Sequence, residues 1–297
     1  MNFIVRAHEK GLIIREQAVL APFTYFKIGG PADFLSQPKT NEEFITVVRL
    51  AQEMQIPITI LGGGGNVLIA DKGIRGLVIH PENRQYTRAE NVITAGAGTT
   101  NGQLLGFATT EGLAGLENIA GVPGTIGGTV YGNGGMFPSG IEPVLSHVRI
   151  VNEAGEEQEF SKQDCALGYR TSRFKRTKEV IIEASFLLYP KDTKVIAAEI
   201  RRLIATYKRG VQPIGAACSG CMFKNPTGDY AARLIDAAGL KGKRIGGAEV
   251  SPLHANFIIN TGDATADHVL QLVSYIKQQI RDAYGVQLQE EVQYLGF

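Results

Sequence analysis

The chain has 297 residues, of which 44% are hydrophobic and 20% charged, and its formal net charge is +1. Intrinsic disorder requires low hydrophobicity with high net charge, so this composition excludes it. The charge balance also argues against broad electrostatic binding to nucleic acid or to an anionic membrane. No stretch approaches the ~20 apolar residues of a membrane span, the charged amino terminus is unlike a signal peptide, and three cysteines are too few for a disulfide framework. We therefore expect a cytoplasmic protein, which we take to be a monomer.

The first part of the chain has the pattern of alternating strands and helices. Thr40 and Glu43 have the spacing of a capping box that opens a helix. Apolar residues follow at helical spacing: Phe44, Val47, Val48 and Ala51. We predict strands at 58–61 and 67–69, separated by a glycine turn, and a further helix at 101–110.

After residue 140 the pattern changes. Alternating residues at 148–160 predict a hairpin that turns at 152–155, and a further strand is predicted at 179–189. Two helices follow, the second ending at Gly285. Their apolar stripes are Ile196, Ile200, Leu203, Ile204 and Tyr207 in the first, and Val269, Leu272, Val273, Ile276 and Ile280 in the second.

Glycine is concentrated in one segment, because residues 62–140 contain 20 of the 36 glycines. The backbone there approaches something closely, or turns where a Cβ atom would clash. A turn-rich all-β region is one interpretation of this excess. A pair of loops that cradles a ligand is the other.

The first glycine cluster, 62–66, fits neither common nucleotide motif. It lacks the Gly-Lys-Ser/Thr ending of a P-loop, and it continues as a strand rather than opening a Rossmann helix. A glycine turn between strands can still line an anion with backbone N–H groups. A second cluster, 121–129, repeats the theme about 60 residues later. Together the two loops favour a cofactor with a pyrophosphate group.

Motifs along nearly the whole chain are similar to those of one family. They are FTYFKIGGPA (23–32), LGGGGNVLI (61–69), AGVPGTIGG (120–128), GYRTSRFK (168–175), GCMFKNP (220–226), AGLKGKRIGGAEVS (238–251) and HANFIIN (254–260). The chain resembles the UDP-N-acetylenolpyruvoylglucosamine reductases. It resembles their shorter variety, because no long insertion follows GYRTSRFK.

The resemblance implies a mixed fold (α+β or α/β) in two domains. Residues 1–190, with a core at about 23–190, are expected to form an FAD-binding domain of the vanillyl-alcohol-oxidase (PCMH) type. Residues 191–297 are expected to form a smaller α+β substrate-binding domain, whose last residues return to the active site. The implied reaction reduces UDP-N-acetylglucosamine enolpyruvate to UDP-N-acetylmuramate, for peptidoglycan precursor synthesis. The implied cofactors are non-covalent FAD and NADPH as reductant, without a metal.

The resemblance also implies site residues. FAD is expected on Leu61, Gly62, Gly63, Gly64, Gly65, Asn66, Val67, Gly121, Val122, Pro123, Gly124, Gly127, Gly128 and Asn133. The nucleotide-sugar substrate is expected on Lys224, Asn225 and His254. For Asn225 a turn is an alternative interpretation, and a lone histidine such as His254 is more often structural.

Three residues match the catalytic positions of the family. In the implied reaction, flavin N5 delivers hydride to the enol ether, and negative charge builds on the substrate carboxylate. Arg170 would hold that carboxylate and Glu291 would help to polarise it, with the neighbouring Glu290 as a competing choice. Cys221 replaces the serine of the family and would protonate the α-carbon. A thiol is a far more acidic donor than an alcohol.

Other interpretations remain open. The same fold occurs in flavin oxidases, and the replacement of serine by Cys221 is compatible with a flavin or nucleotide-sugar binding protein that has lost its chemistry. The Cys218–Cys221 spacing is also a C-x-x-C pattern, but a zinc site lacks two further evident ligands. A regulatory disulfide between these two cysteines is a further hypothesis.

Overall fold

The structure is a computed structural model that describes residues 2–136, 138–207 and 210–297, without the side chain of Tyr207. The chain forms two compact units, and each is assembled from separate stretches of sequence. Unit 1 comprises residues 1–16, 33–63 and 76–206, and unit 2 comprises residues 17–32, 64–75 and 207–297.

Helices in the described residues include all of those predicted from the sequence. Their bounds are α1 (Phe3–Glu9), α2 (Asn41–Glu53), α3 (Asn101–Thr110), α4 (Ile126–Gly132), α5 (Thr193–Tyr207), α6 (Ala231–Ala237) and α7 (Ala266–Tyr284). Helix α2 begins as predicted, with the Thr40 hydroxyl accepting a hydrogen bond from the Glu43 amide at 3.1 Å. Helix α7 ends as predicted, with Gly285 as its C-cap.

The strands are short and belong mostly to antiparallel pairs. Their bounds are β1 (Ile14–Val19), β2 (Pro31–Ser36), β3 (Ile58–Ile60), β4 (Val67–Ile69), β5 (Ile74–Ile79), β6 (Tyr86–Ala89), β7 (Val92–Gly96), β8 (Leu113–Ala114), β9 (Leu145–Val151), β10 (Glu157–Ser161), β11 (Val180–Leu187), β12 (Tyr189–Pro190), β13 (Ala217–Cys221), β14 (Arg244–Ile245), β15 (Ala248–Val250), β16 (Phe257–Asn260) and β17 (Gln293–Leu295).

Unit 1 contains an antiparallel sheet in the order β10-β9-β11-β7-β6. The predicted hairpin is confirmed as β9–β10, with Val151 paired to Glu157. A further sheet has the order β1-β2-β5-β3, and β3 and β5 are parallel. Helix α2 buries Phe44, Val47 and Val48 in the core that these strands share.

Unit 2 contains an antiparallel sheet in the order β13-β16-β15-β14, and β17 pairs in parallel with β4. Helix α7 buries its predicted apolar stripe in the core of this unit. Phe26, Ile28 and Leu68 lie in the same core, although they come from the first quarter of the sequence.

The compact units differ from the domain boundary predicted after residue 190. Helix α5 belongs to unit 1, because Ile196 is buried in its core and Ile200 and Ile204 pack against it. Residues 17–32 and 64–75 belong to unit 2. A division of function at residue 190 stays a prediction.

The second glycine cluster does not repeat the strand–turn–strand form of the first. Residues Ile126–Gly132 form α4 instead, although three of its seven residues are glycine. Burial of Ile126 and Val130 in the core of unit 1 stabilises this helix against its poor intrinsic propensity.

Asp71 caps α7 within unit 2. Its carboxylate accepts hydrogen bonds from the Ala266 amide, at 3.0 Å to each oxygen. We expect Asp71→Ala to lower the free energy of unfolding by about 1 kcal/mol, because the Ala266 amide in the first turn loses its acceptor. Urea unfolding checks this. Asp282→Ala, at the other end of α7, is the control, and an equal loss in both variants would contradict the prediction.

Candidate active site

The two glycine loops meet inside unit 1. A Cβ atom on Gly63 would lie 2.7 Å from the Cα atom of Gly124, and one on Gly62 would lie 2.7 Å from Oγ1 of Thr125. Both positions therefore require glycine, because a side chain at Gly63 would separate the two backbones and one at Gly62 would overlap the Thr125 hydroxyl. Within unit 1, the structure thus brings the predicted cofactor-binding residues Leu61–Gly63 together with those of the second cluster, namely Gly121–Gly124, Gly127 and Gly128.

A buried hydroxyl lies where these loops meet. Thr125 is 5% exposed, and its Oγ1 atom has no hydrogen-bond partner among the described residues. A buried polar atom without a partner is costly unless a ligand satisfies it. Closely packed backbone and an unsatisfied donor fit the polar part of a dinucleotide such as FAD. Thr125 is absent from the predicted set, and its place inside the second glycine cluster is the signal that could have included it.

His80 supports the first glycine loop from within unit 1. Its Nδ1 atom donates to the carbonyl oxygen of Leu61 at 2.8 Å. Burial lowers the pKa of His80 from its ordinary value of 6.5, and the hydrogen bond to Leu61 opposes this shift only in part. The ring is therefore neutral in the folded protein at neutral pH.

This lowered pKa predicts a pH dependence of stability. The unfolded chain binds a proton at His80 more readily than the folded chain does. The contribution of His80 to the free energy of unfolding is therefore complete above pH 6.5, and it is lost as the pH falls through the pKa of the folded state. We expect the free energy of unfolding to fall between about pH 7.5 and about pH 5.5, and less so in His80→Gln. Urea unfolding at these pH values measures it. Replacing the exposed His8 with glutamine is the control, and an equal slope in His80→Gln and wild type would refute the explanation.

Asn133 has both ends of its side chain in hydrogen bonds within unit 1. Its Nδ2 atom donates to Gly168 O at 3.0 Å, and its Oδ1 atom accepts from the Glu142 amide at 3.1 Å. These contacts fix the loop that precedes Arg170. Contact of Asn133 with the cofactor stays a prediction.

Arg170 lies in a tight turn with unusual backbone geometry. Gly168 and Thr171 exchange two backbone hydrogen bonds, and Arg170, the third residue of this turn, has φ +54°. That position favours glycine or asparagine. A residue held in this conformation costs free energy and often marks a functional site.

The Arg170 turn is held from two sides. The Lys175 ammonium donates to Arg170 O at 2.9 Å, and the Arg170 guanidinium donates to Gly135 O at 3.0 Å. The turn borders a cavity of about 270 Å³, which is also lined by Ser139 and Glu142. A guanidinium here suits a carboxylate-bearing ligand.

In unit 2 the backbone pairs the segments that carry Cys221 and Glu291. The Glu291 amide donates to Met222 O at 2.8 Å, and the Lys224 amide donates to Gln289 O at 2.8 Å. The predicted proton donor and the predicted carboxylate are thus attached to adjacent, hydrogen-bonded backbone.

The second half of the first glycine loop joins them. The Asn66 side chain donates to Glu291 O at 3.2 Å, and a Cβ atom on Gly220 would lie 3.9 Å from Gly65 O. The predicted residues Gly64–Val67 thus belong with Cys221 and Glu291 in unit 2.

A β-bulge sets the direction of the Cys221 side chain. Cys218 pairs with Ile259 and Cys221 with Phe257, so three steps along β13 oppose two along β16. Because paired residues share a side of the sheet and side chains alternate, Cys218 and Cys221 lie on the same face. In a regular strand they would lie on opposite faces. Gly220, with φ +77°, allows the bulge.

All three cysteines are free thiols. Burial raises the pKa of Cys165 to about 11, so this thiol stays protonated at neutral pH. Burial also raises the pKa of Cys218. The regulatory disulfide stays a hypothesis.

Glu290, the neighbour of Glu291, has an ion-pair partner within unit 2. Glu290 forms an ion pair with Lys277, at 2.8 and 3.0 Å from its two carboxylate oxygens. That carboxylate is committed to a partner within unit 2. The catalytic role of Glu291, with Glu290 as the competing choice, stays a prediction.

Two of the residues predicted to contact the substrate, Asn225 and His254, make hydrogen bonds within the protein. Oδ1 of Asn225 accepts from the Ala231 amide at 3.1 Å, at the start of α6. The His254 ring accepts from the Asn256 amide at 3.2 Å and packs edge-on against Phe257. Substrate binding by these residues and Lys224 stays a prediction.

Across the described ranges, no group of three or more His, Cys, Asp or Glu residues is arranged to hold a metal ion. The helices of the described chain include none with the length and apolar character needed to span a membrane.

Comparison with known proteins finds a family match in each half of the sequence. Residues 32–161 match the family described as FAD binding domain. Residues 212–295 match the C-terminal domain of UDP-N-acetylenolpyruvoylglucosamine reductase. A reductase of that name from Carboxydothermus hydrogenoformans is 40% identical over 95% of this chain and 94% of its own. The one from Bacillus velezensis is 37% identical over 98% and 97%.

The chain belongs to the UDP-N-acetylenolpyruvoylglucosamine reductase family. It is an oxidoreductase with an FAD-binding domain.

Solved structures confirm the predicted fold class. The reductase of this family from Thermus caldophilus superposes with a TM-score of 0.82 at 30% identity, covering 96% of this chain and 98% of that chain. A berberine bridge enzyme variant superposes with a TM-score of 0.51 at 15% identity, covering 65% and 44%, which shows a shared fold alone.

Proposed function

We propose that this member of the reductase family converts UDP-N-acetylglucosamine enolpyruvate to UDP-N-acetylmuramate in peptidoglycan precursor synthesis, with NADPH as reductant. The observation that carries the proposal is the hydrogen-bonded assembly in unit 2. It joins the Cys221 segment to the Glu291 segment, and Asn66 of the first glycine loop donates to Glu291 O.

FAD would be held by the glycine loops, by the residues predicted from the sequence and by Thr125. Bound there, FAD would supply a hydride carrier between NADPH and the enol ether of the substrate. The protein residues bind, orient and polarise that substrate.

Arg170 binds the substrate carboxylate and stabilises the negative charge that develops on it. A guanidinium stays charged throughout and can bind both carboxylate oxygens. The strained turn keeps it in place, so little reorganisation is needed when charge develops. Glu291 helps to polarise the same group, and Lys224, Asn225 and His254 contact the sugar nucleotide.

Cys221 donates a proton to the α-carbon of the substrate. The bulge in β13 fixes the side of the sheet from which the thiol approaches. A general acid needs a defined position within hydrogen-bond reach of the reacting atom. We extend the proposal to a cytoplasmic monomer that acts on the free nucleotide sugar.

Anaerobic stopped-flow spectroscopy tests this function. NADPH is expected to bleach the bound flavin, and the enolpyruvyl sugar nucleotide is then expected to restore its absorbance in the absence of oxygen. Restoration by oxygen alone would indicate an oxidase. Binding of the sugar nucleotide without restoration would indicate a binding protein without chemistry.

A further inference from the structure

Asn101 makes an unusual set of contacts for the first residue of a helix. It is 1% exposed, and its two side-chain hydrogen bonds leave helix α3. Nδ2 donates to Val122 O at 3.1 Å, and Oδ1 accepts from the Thr129 hydroxyl at 2.8 Å. Both partners belong to the second glycine cluster: Val122 lies in its loop and Thr129 in helix α4, which follows the loop.

The backbone beside Asn101 continues the same contact. The Asn101 amide donates to Gly124 O at 3.1 Å, and the Ile126 amide donates to Thr99 O at 2.8 Å. Gly124 is the residue whose Cα atom lies against Gly63 of the first loop. Asn101 therefore contacts the glycine loop at three points, on both sides of Thr125.

This loop needs such support because its own sequence provides little. Glycine has more conformational freedom to lose than any other residue, so a loop rich in glycine is costly to order. A loop that is ordered before the ligand arrives spares the ligand that cost and binds it more tightly.

We propose that Asn101 is a positioning residue for FAD: it fixes the backbone of Val122–Thr129 in the conformation that receives the cofactor. This inference rests on the proposed function, because it concerns the same cofactor site. Asn101 acts through the loop and does not itself contact the cofactor.

The chain offers a closely matched control in Asn41. Each asparagine is the first residue of its helix and follows a threonine N-cap. Asn41 is 6% exposed and likewise uses both ends of its side chain, donating to Glu183 and accepting from Asn83. The partners of Asn41 are outside both glycine loops. Asn41→Ala therefore removes a similar buried asparagine without removing a contact to either loop.

The test compares Asn101→Ala with Asn41→Ala as purified holoenzymes. Dilution releases FAD, and recovery of flavin fluorescence reports the dissociation rate. We expect this rate to rise at least tenfold in Asn101→Ala and less than twofold in Asn41→Ala, while both variants lower Tm. The visible circular dichroism of the bound flavin is expected to change only in the Asn101 variant.

Asn101→Asp keeps the test decisive if the alanine variant does not fold. The carboxylate retains an acceptor for Thr129 and loses the N–H donor for Val122, so the rate is expected to lie between those of wild type and Asn101→Ala. Equal dissociation rates in the Asn101 and Asn41 variants, or a wild-type rate in Asn101→Asp, would overturn the inference. A wild-type protein that binds no FAD would overturn the proposed function and the inference with it.

Discussion

Arg170→Lys is expected to lower kcat by about 100-fold, the usual effect of losing one preorganised donor to developing negative charge. Lysine keeps the positive charge, but it lacks the planar fork that binds both carboxylate oxygens. Steady-state oxidation of NADPH in the presence of the enolpyruvyl sugar nucleotide measures the effect.

Arg176→Lys is the control, because Arg176 is exposed in the same basic stretch. It is expected to keep wild-type kcat. A kcat near wild type in Arg170→Lys would remove Arg170 from the mechanism. The strained turn would then need a structural explanation.

Cys221→Ala is expected to lower kcat about 1000-fold, within the usual range for loss of a general acid. Cys221→Ser is expected to retain much of the activity, because a hydroxyl in the same position can also donate a proton. Stopped-flow measurements separate the steps. In the alanine variant, NADPH should bleach the flavin at the wild-type rate. The sugar nucleotide should restore the flavin absorbance more slowly than in wild type.

Cys218→Ala is the matched control, because Cys218 lies on the same face of the sheet, three residues earlier. It is expected to keep wild-type turnover. If Cys221→Ala restored flavin absorbance at the wild-type rate, the proton donor would be another group. If Cys218→Ala were equally slow, the effect would belong to the strand and not to the thiol.

Local sequence patterns predicted the elements whose signals lie within a few residues. The Thr40 N-cap of α2, the β9–β10 hairpin and the stripe of α7 are of this kind, and the structure confirms them. The capping box predicted at Thr40 is incomplete, because the Glu43 carboxylate accepts from the Lys39 amide instead. Helix α4 was missed because its glycines indicate a loop, and the apolar core overrides that propensity.

Contacts between distant parts of the chain were beyond these patterns. No local signal assigns residues 17–32 and 64–75 to the same compact unit as the carboxyl-terminal third. Among the site residues, glycine clustering indicated the two loops. The role of Asn101 became visible only through burial and hydrogen bonding, because in sequence it is simply the first residue of a helix. Thr125 lies inside the second glycine cluster, but its buried hydroxyl is visible only in the structure.

The parallel pairing of β17 with β4 has a consequence for the newly made protein. Asn66 and Glu291 are 225 positions apart, and Val67 pairs with Gln293. Residues at the end of the first glycine loop therefore lack these neighbours until residues 291–293 have been synthesised. We therefore expect this part of the loop to reach its final structure, and to contribute to FAD binding, only after residues 291–293 have left the ribosome.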